Sequence, residues 1–81
     1  MHVTVKFFSH YRERAGTDRL GVDLSAGATV SELVQKLSEE LKSPTLANEP
    51  VILMVNHKHA LPETGLKNGD EVLFLPLLSG G

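Results

Sequence analysis

The sequence predicts an α+β domain in which a mixed sheet packs against one main helix. Three patterns in its 81 residues indicate this fold. An alternating segment opens the chain, a single long helical stripe occupies the middle, and short apolar runs of strand length follow. One helix and several strands are enough for two layers and one core, so a single domain is expected.

The first quarter of the chain is predicted to form a hairpin. Residues 2–8 alternate between two faces, as a strand does. Residues 9–15 are polar and favour a short helical turn, with Ser9 as its N-cap and Gly16 as its stop. Residues 20–24 alternate again and predict a second strand, paired with the first.

The main helix has a clear start and a clear apolar stripe. Thr29 followed by Glu32 is a capping-box pattern. Pro44 is expected to end the helix. The apolar residues recur at helical spacing. They are Val30, Leu33, Val34, Leu37 and Leu41.

The second half of the chain predicts three more strands. Residues 51–55 form an apolar run, and residues 56–59 are predicted to turn into a short strand around Ala60 and Leu61. Asn68-Gly69 is a turn dipeptide, and residues 71–75 are the last strand. This order of elements predicts a β-grasp arrangement, with a domain at residues 1–76 and a flexible tail at residues 77–81.

Composition excludes several classes of function. The formal net charge is -2 and there is no basic block, so nucleic-acid binding is not expected. The chain has no cysteine, which excludes disulfides and a thiolate nucleophile. No signal peptide is recognised, and the longest apolar run, residues 51–55, is too short to cross a bilayer. We expect a cytoplasmic protein that binds no membrane.

The last strand predicts an apolar surface on the face that the helix does not cover. Leu73 and Leu75 alternate with the core positions of that strand, and Phe8 lies opposite the core positions of the first strand. First and last strands are neighbours in a β-grasp sheet, so these three residues are expected to form one exposed patch that continues into Leu77 and Leu78. The alternative is that Phe8 folds back onto residues 9–15 and the leucines are ordinary surface residues.

The chain ends in Ser79-Gly80-Gly81, which points to chemistry at the terminal carboxylate. Glycine has no Cβ, so such a tail can thread a narrow channel on another protein. Residues 77–81 reach roughly 17 Å when extended. A free carboxylate is a poor electrophile, and activation as an adenylate would let sulfur replace the nucleotide.

Four segments together resemble a known family. They are residues 7–16 (Phe-Phe, then Arg-Glu, then Gly), the helix start at residues 29–33, Val55-Asn56, and residues 66–72 leading to Pro76 and Ser79-Gly80-Gly81. On these segments the chain resembles the small, sulfur-carrier subunit of molybdopterin synthase, a ubiquitin-like β-grasp family. The resemblance covers the whole chain.

The resemblance implies a role as a non-catalytic sulfur donor. A ubiquitin-activating-type adenylyltransferase would use ATP to adenylate Gly81, which would become a thiocarboxylate; the chain itself would bind no cofactor. The large subunit of molybdopterin synthase, expected in a heterotetramer, would then receive the tail. There the sulfur would pass to cyclic pyranopterin monophosphate to form the molybdopterin dithiolene.

The resemblance also implies interface residues. Phe8 and Arg12 match family interface positions, and Leu75 stands where an apolar or aromatic contact is common. His59 departs from the leucine-like residue usual at its position. His57 and His59 are also weighed as metal ligands, but without a convincing third ligand we expect no metal site.

Two other functions stay open. The chain is alternatively a sulfur carrier for thiamine formation or tRNA thiolation. It is alternatively a ubiquitin-like modifier joined through Gly81 to lysines. The segment from Phe8 to Gly16 favours molybdopterin, because thiamine-pathway carriers usually lack it.

Overall fold

The computed structural model describes residues 1–43, 46 and 51–76. The elements are β1 (His2–Phe7), α1 (His10–Ala15), β2 (Arg19–Asp23), α2 (Val30–Glu40), β3 (Val51–Val55), β4 (Lys58–His59) and β5 (Glu71–Pro76). The strand order is β2-β1-β5-β3-β4. Strands β1 and β5 run parallel, and the other neighbours are antiparallel. The predicted mixed sheet with one main helix is therefore confirmed, as is the contact between first and last strands.

Helix α2 begins as its sequence predicts. Thr29 is extended, with φ -100°, and its Oγ1 accepts a hydrogen bond of 3.3 Å from the backbone N–H of Glu32. This bond satisfies one of the backbone donors that a helix start leaves free. The helix ends at Glu40, and Pro44, the predicted stop, lies outside the described residues.

The core lies between α2 and one face of the sheet. The alternating residues of β1 and β5 meet the buried side of α2 there. The members from these three elements are Val3, Val5, Phe7, Val72, Phe74, Val30, Leu33, Val34 and Leu37. Burying each such side chain contributes about 1.5–3 kcal/mol, so this stripe-on-sheet contact is the main source of stability.

Strand β4 lies earlier in the chain than predicted. It comprises Lys58 and His59, whereas the sequence placed a short strand around Ala60 and Leu61. The reason is a two-residue turn: Asn56 and His57 have φ of 50° and 68°, the pattern of a type I′ hairpin. A turn this tight starts the return strand at once, opposite Val55.

A polar link centred on the buried Asp70 joins this hairpin to the turn before β5. The Asn56 Nδ2 donates to Asp70 Oδ1 at 2.9 Å, and the Lys67 N–H donates to Asp70 Oδ2 at 2.8 Å. The Glu71 N–H donates to Asn56 Oδ1 at 3.0 Å. Asp70 is only 8% exposed, so these bonds compensate the cost of burying its carboxylate. The link holds the β3–β4 hairpin in register with β5.

Candidate partner-binding site

One face of the sheet carries no helix among the described residues. Helix α2 packs on the core side, and α1 lies on the same side because Tyr11 contacts Phe74 edge-on, with ring centroids 4.8 Å apart. Successive strand residues alternate faces, so every second residue of β1, β3 and β5 is on the opposite, open face. They are His2, Thr4, Lys6, Ile52, Met54, Glu71, Leu73 and Leu75.

Apolar residues from three elements meet on this open face. Leu73 of β5 lies opposite Met54 of β3, and Leu75 lies opposite Ile52. The β1–β5 register pairs Phe7 with Phe74, so its next step places Phe8 beside Leu75. We call these five residues the open-face patch: Phe8, Ile52, Met54, Leu73 and Leu75.

The structure brings together the three patch residues predicted from sequence. Phe8 is 39% exposed. Leu73 and Leu75 are partly rather than fully exposed, and neither packs against the core cluster. Their shared face is therefore observed, and their contact with a partner stays a prediction.

Sequence reasoning missed Ile52 and Met54. The signal was present, because β3 is apolar at all five positions and only one of its faces meets the core. On β5, the fact that one helix covers only one face of the sheet led to the prediction that Leu73 and Leu75 face outward. The same reasoning applies to β3. These two residues extend the patch across a second strand.

A tight turn holds Phe8 at the edge of the patch. The Phe8 N–H donates to the Phe74 carbonyl at 3.3 Å, and the Phe8 carbonyl accepts from the Tyr11 N–H at 3.2 Å. Ser9 between them has φ 57° and ψ -136°, the first central position of a type II′ turn, which glycine normally occupies. Ser9 occupies the N-cap position of α1, as predicted, but its side chain makes no capping hydrogen bond. This turn follows Phe8 directly, at the point where β1 ends beside the open face.

Charged residues flank the patch. Lys6 Nζ lies 3.1 Å from Glu71 Oε2, and His57 Nε2 lies 3.6 Å from Glu71 Oε1. Arg12, predicted as an interface residue, is exposed on α1 and lines a surface cavity together with Phe8. Arg12 thus lies beside Phe8, at the edge of the patch.

A second charged pair lies at the far end of β1 and β2. His2 Nδ1 and Asp23 Oδ1 are 2.8 Å apart. The hydrogen bond from His2, and then the positive charge of its imidazolium, lower the pKa of the Asp23 carboxyl. The pair is exposed and separate from the patch, so it is a surface feature of the hairpin.

The two histidines weighed as metal ligands have different surroundings. His57 is on the I′ turn near Glu71, whereas His59 lines a cavity of about 280 Å³ between α2 and β3. Within residues 1–43, 46 and 51–76, no group of three His, Cys, Asp or Glu side chains is placed to hold a metal. No described helix is long and apolar enough to cross a membrane.

The predicted tail residues lie outside the described part of the chain. They are Leu77, Leu78, Ser79, Gly80 and Gly81. The last described residues, Leu75 and Pro76, pair with Ile52 and Val51. The tail therefore follows directly from the strand that carries two of the five residues of the open-face patch.

Comparison with protein families gives an assignment over nearly the whole chain. The model of the ThiS family matches residues 5–81. The chain belongs to the ThiS family. Its match includes the terminal glycines as well as all of the sheet from Val5 onward.

Relatives in this family carry a more specific name. The chain is 38% identical over 84 residues to a molybdopterin synthase sulfur carrier subunit of Drosophila yakuba, covering 100% of this chain and 92% of the relative. The resemblance inferred from the four segments is therefore confirmed.

Solved structures agree with the ThiS family fold. A molybdopterin converting factor subunit 1 from Pyrococcus furiosus has a TM-score of 0.82 and 26% identity, covering 95% of this chain and 99% of that chain. One chain of a protein–protein complex of subunits 1 and 2 of molybdopterin-converting factor from Helicobacter pylori gives a TM-score of 0.68 at 25% identity, covering 100% of this chain and 100% of that chain. A ubiquitin-like protein of Caldiarchaeum subterraneum, 19% identical with a TM-score of 0.56, covers 99% of this chain and 100% of that one. That likeness shows the fold alone, and the ubiquitin-like β-grasp prediction is confirmed.

Proposed function

We propose that this ThiS-family chain is the sulfur-carrier subunit of a molybdopterin synthase. The observation that carries the proposal is the position of the open-face patch on β5, the strand that leads into Ser79-Gly80-Gly81. A partner that covers Leu73 and Leu75 would receive the tail in the same act of binding. The names of the relatives and the complex from Helicobacter pylori support a large synthase subunit as that partner.

The chemistry assigned to this chain is confined to its terminus. A ubiquitin-activating-type adenylyltransferase would join the Gly81 carboxylate to AMP, releasing pyrophosphate from ATP. A sulfide-level sulfur nucleophile would then attack the acyl carbon and expel AMP, leaving a thiocarboxylate. The ATP requirement belongs to the activating partner, and the cytoplasm is the proposed location because ATP is supplied there.

Sulfur transfer would take place on the large subunit, in a heterotetramer. The thiocarboxylate sulfur would displace an oxygen substituent from a carbon of cyclic pyranopterin monophosphate, so that a C–S bond forms as a C–O bond breaks, and water would cleave the resulting thioester. Two such transfers would supply the two sulfurs of the dithiolene. The sulfur stays on the pterin and Gly81 returns as a carboxylate. This chain supplies docking and the acyl group, while the side chains that act on the pterin belong to the partner.

Reconstitution tests this proposal against the other pathways. The chain is incubated with the large subunit of the same organism, the activating enzyme, ATP, sulfide and cyclic pyranopterin monophosphate, and molybdopterin is measured as its fluorescent oxidation product. We expect product from the wild type and none after deletion of Gly81, because the acyl carbon that carries sulfur has been moved.

A matched glycine change provides the control. Gly65 is exposed, with open space where a Cβ would stand, so Gly65→Ala is expected to leave product formation unchanged. Product formed at the wild-type rate without Gly81 would contradict the proposal. Sulfur loading without molybdopterin would favour thiamine or tRNA thiolation, and lysine conjugates would favour the modifier.

A further inference from the structure

A cavity with a positive lining adjoins the open-face patch. Its volume is about 350 Å³, and it lies where β1, the turn into α1 and the start of β2 meet. Its lining residues are Lys6, Phe7, Phe8, Arg12, Asp18 and Arg19. We call this feature the cationic cleft, because three cations face one carboxylate there.

Two of its cations stand directly opposite each other. Lys6 of β1 pairs in register with Arg19 of β2, and both lie on the open face. Like charges at opposed positions of an antiparallel pair are unfavourable. Glu71 neutralises Lys6 from the β5 side at 3.1 Å, but it serves Lys6 rather than Arg19. In the free chain the positive charges of Lys6 and Arg19 therefore repel each other, and a bound anion would reduce this repulsion.

The two arginines of the cleft have no ion pair with any described residue. Arg12 and Arg19 are both exposed, and the carboxylates recorded within 4.0 Å of a cation belong to other pairs. Arg14, on the same helix as Arg12, is different: its guanidinium stacks 5.6 Å from the Tyr11 ring centre and donates to Ser43 Oγ. Arg14 thus serves the fold, whereas Arg12 and Arg19 present free donors to an incoming group.

Phe8 belongs to both surfaces, so the cleft and the patch are continuous. A partner seated on the patch would bring polar rim residues over the cleft, as interfaces combine an apolar centre with a charged rim. The chain carries a formal charge of -2, and Asp18 and Glu71 flank the cations, so an extended phosphate backbone does not fit. A short acidic segment of a protein does, because an arginine guanidinium pairs well with a carboxylate.

We propose that the cationic cleft binds carboxylates of an acidic segment on the synthase large subunit, with Arg19 as a docking residue beside Arg12. The inference rests on the proposed function and adds the chemistry of the partner's rim. Arg19 would gain a counter-ion only in the complex. Its contribution is expected mainly in the rate of association, since rim charges steer the encounter.

Charge reversal at Arg19 tests the inference. Binding of the full chain to the large subunit of the same organism is measured by surface plasmon resonance at low and high salt. We expect Arg19→Glu to weaken binding by about tenfold at low salt, through slower association, and to flatten the salt dependence. The variant is expected to fold normally, because the new glutamate would face Lys6.

Lys58→Glu is the matched control. Lys58 is an exposed cation on β4, at the other edge of the sheet, and the same change of charge there is expected to alter affinity by less than about twofold. An Arg19→Glu affinity equal to that of the control would overturn this inference alone, provided the wild type binds. A wild type that does not bind the large subunit overturns the proposed function as well. If Arg19→Glu no longer binds a single-stranded RNA probe but binds the large subunit as the wild type does, the cleft would be assigned to nucleic acid instead.

Discussion

Replacing Leu75 with glutamate is expected to abolish binding to the large subunit while leaving the fold intact. Leu75 lies on the open face between Phe8 and Ile52 and does not pack against the core. In the complex the new carboxylate would be buried against apolar groups without a partner. Removing an interface centre of this kind weakens binding by about a hundredfold or more.

The measurement is a pair of experiments on each variant. Isothermal titration with the large subunit gives affinity, and thermal unfolding followed by circular dichroism gives stability. Leu61→Glu is the control, because Leu61 is also an exposed leucine, 54% accessible, but lies in the loop after β4. We expect Leu61→Glu to bind as the wild type does. A collapse of the Leu75→Glu melting temperature would mean that Leu75 is core, and intact binding would mean that the patch is not the interface.

Replacing Phe74 with alanine is expected to have the opposite effect. Phe74 precedes Leu75 but faces the core, where it is 0% exposed and lies 5.8 Å from the Phe7 ring and 4.8 Å from the Tyr11 ring. Deleting a buried phenylalanine side chain costs about 3–5 kcal/mol through lost burial and the cavity left behind. A domain of this size has about 4–12 kcal/mol of total stability, so the loss is a large part of it.

Urea denaturation followed by circular dichroism measures this loss. Phe8→Ala is the matched control, since Phe8 is the exposed aromatic next to the same core, and its removal is expected to cost less than about 1 kcal/mol. Phe74→Leu retains most of the side-chain volume and is expected to lose less stability than Phe74→Ala. The leucine variant therefore gives a measurable loss even where the alanine variant fails to fold. Equal urea midpoints for Phe74→Ala and Phe8→Ala would contradict the core assignment.

The elements that follow simple periodicity were predictable. The N-cap and the apolar stripe of helix α2 can both be read from one continuous segment of the sequence. In β1 and β5 buried and less buried residues alternate, so the position of each residue along the strand shows which face of the sheet it lies on. Three of the five residues of the open-face patch were predicted for the same reason. Met54 and Ile52 were missed because a fully apolar run carries no alternation to show which residues face out.

Features that depend on backbone conformation or distant partners were not predictable in the same way. The position of β4 depends on positive φ at Asn56 and His57, and Asn56 finds Asp70 across the sheet. Ser9 adopts a positive-φ turn conformation that cannot be predicted from a serine at this position. The cationic cleft needs β1 and β2 in register before Lys6 and Arg19 become neighbours. Each of these features depends on backbone conformation or on contacts between residues distant in sequence, which the local pattern of residue types does not show.

The central claim is that Gly81 carries sulfur, and intact-mass spectrometry tests it most directly. The purified chain is incubated with ATP, the activating enzyme and sulfide, and its mass is compared before and after. We predict a gain of about 16 Da as one carboxylate oxygen is replaced by sulfur, and no gain when Gly81 is deleted. An unchanged wild-type mass, with an activating enzyme shown to be competent on its own carrier, would contradict the account.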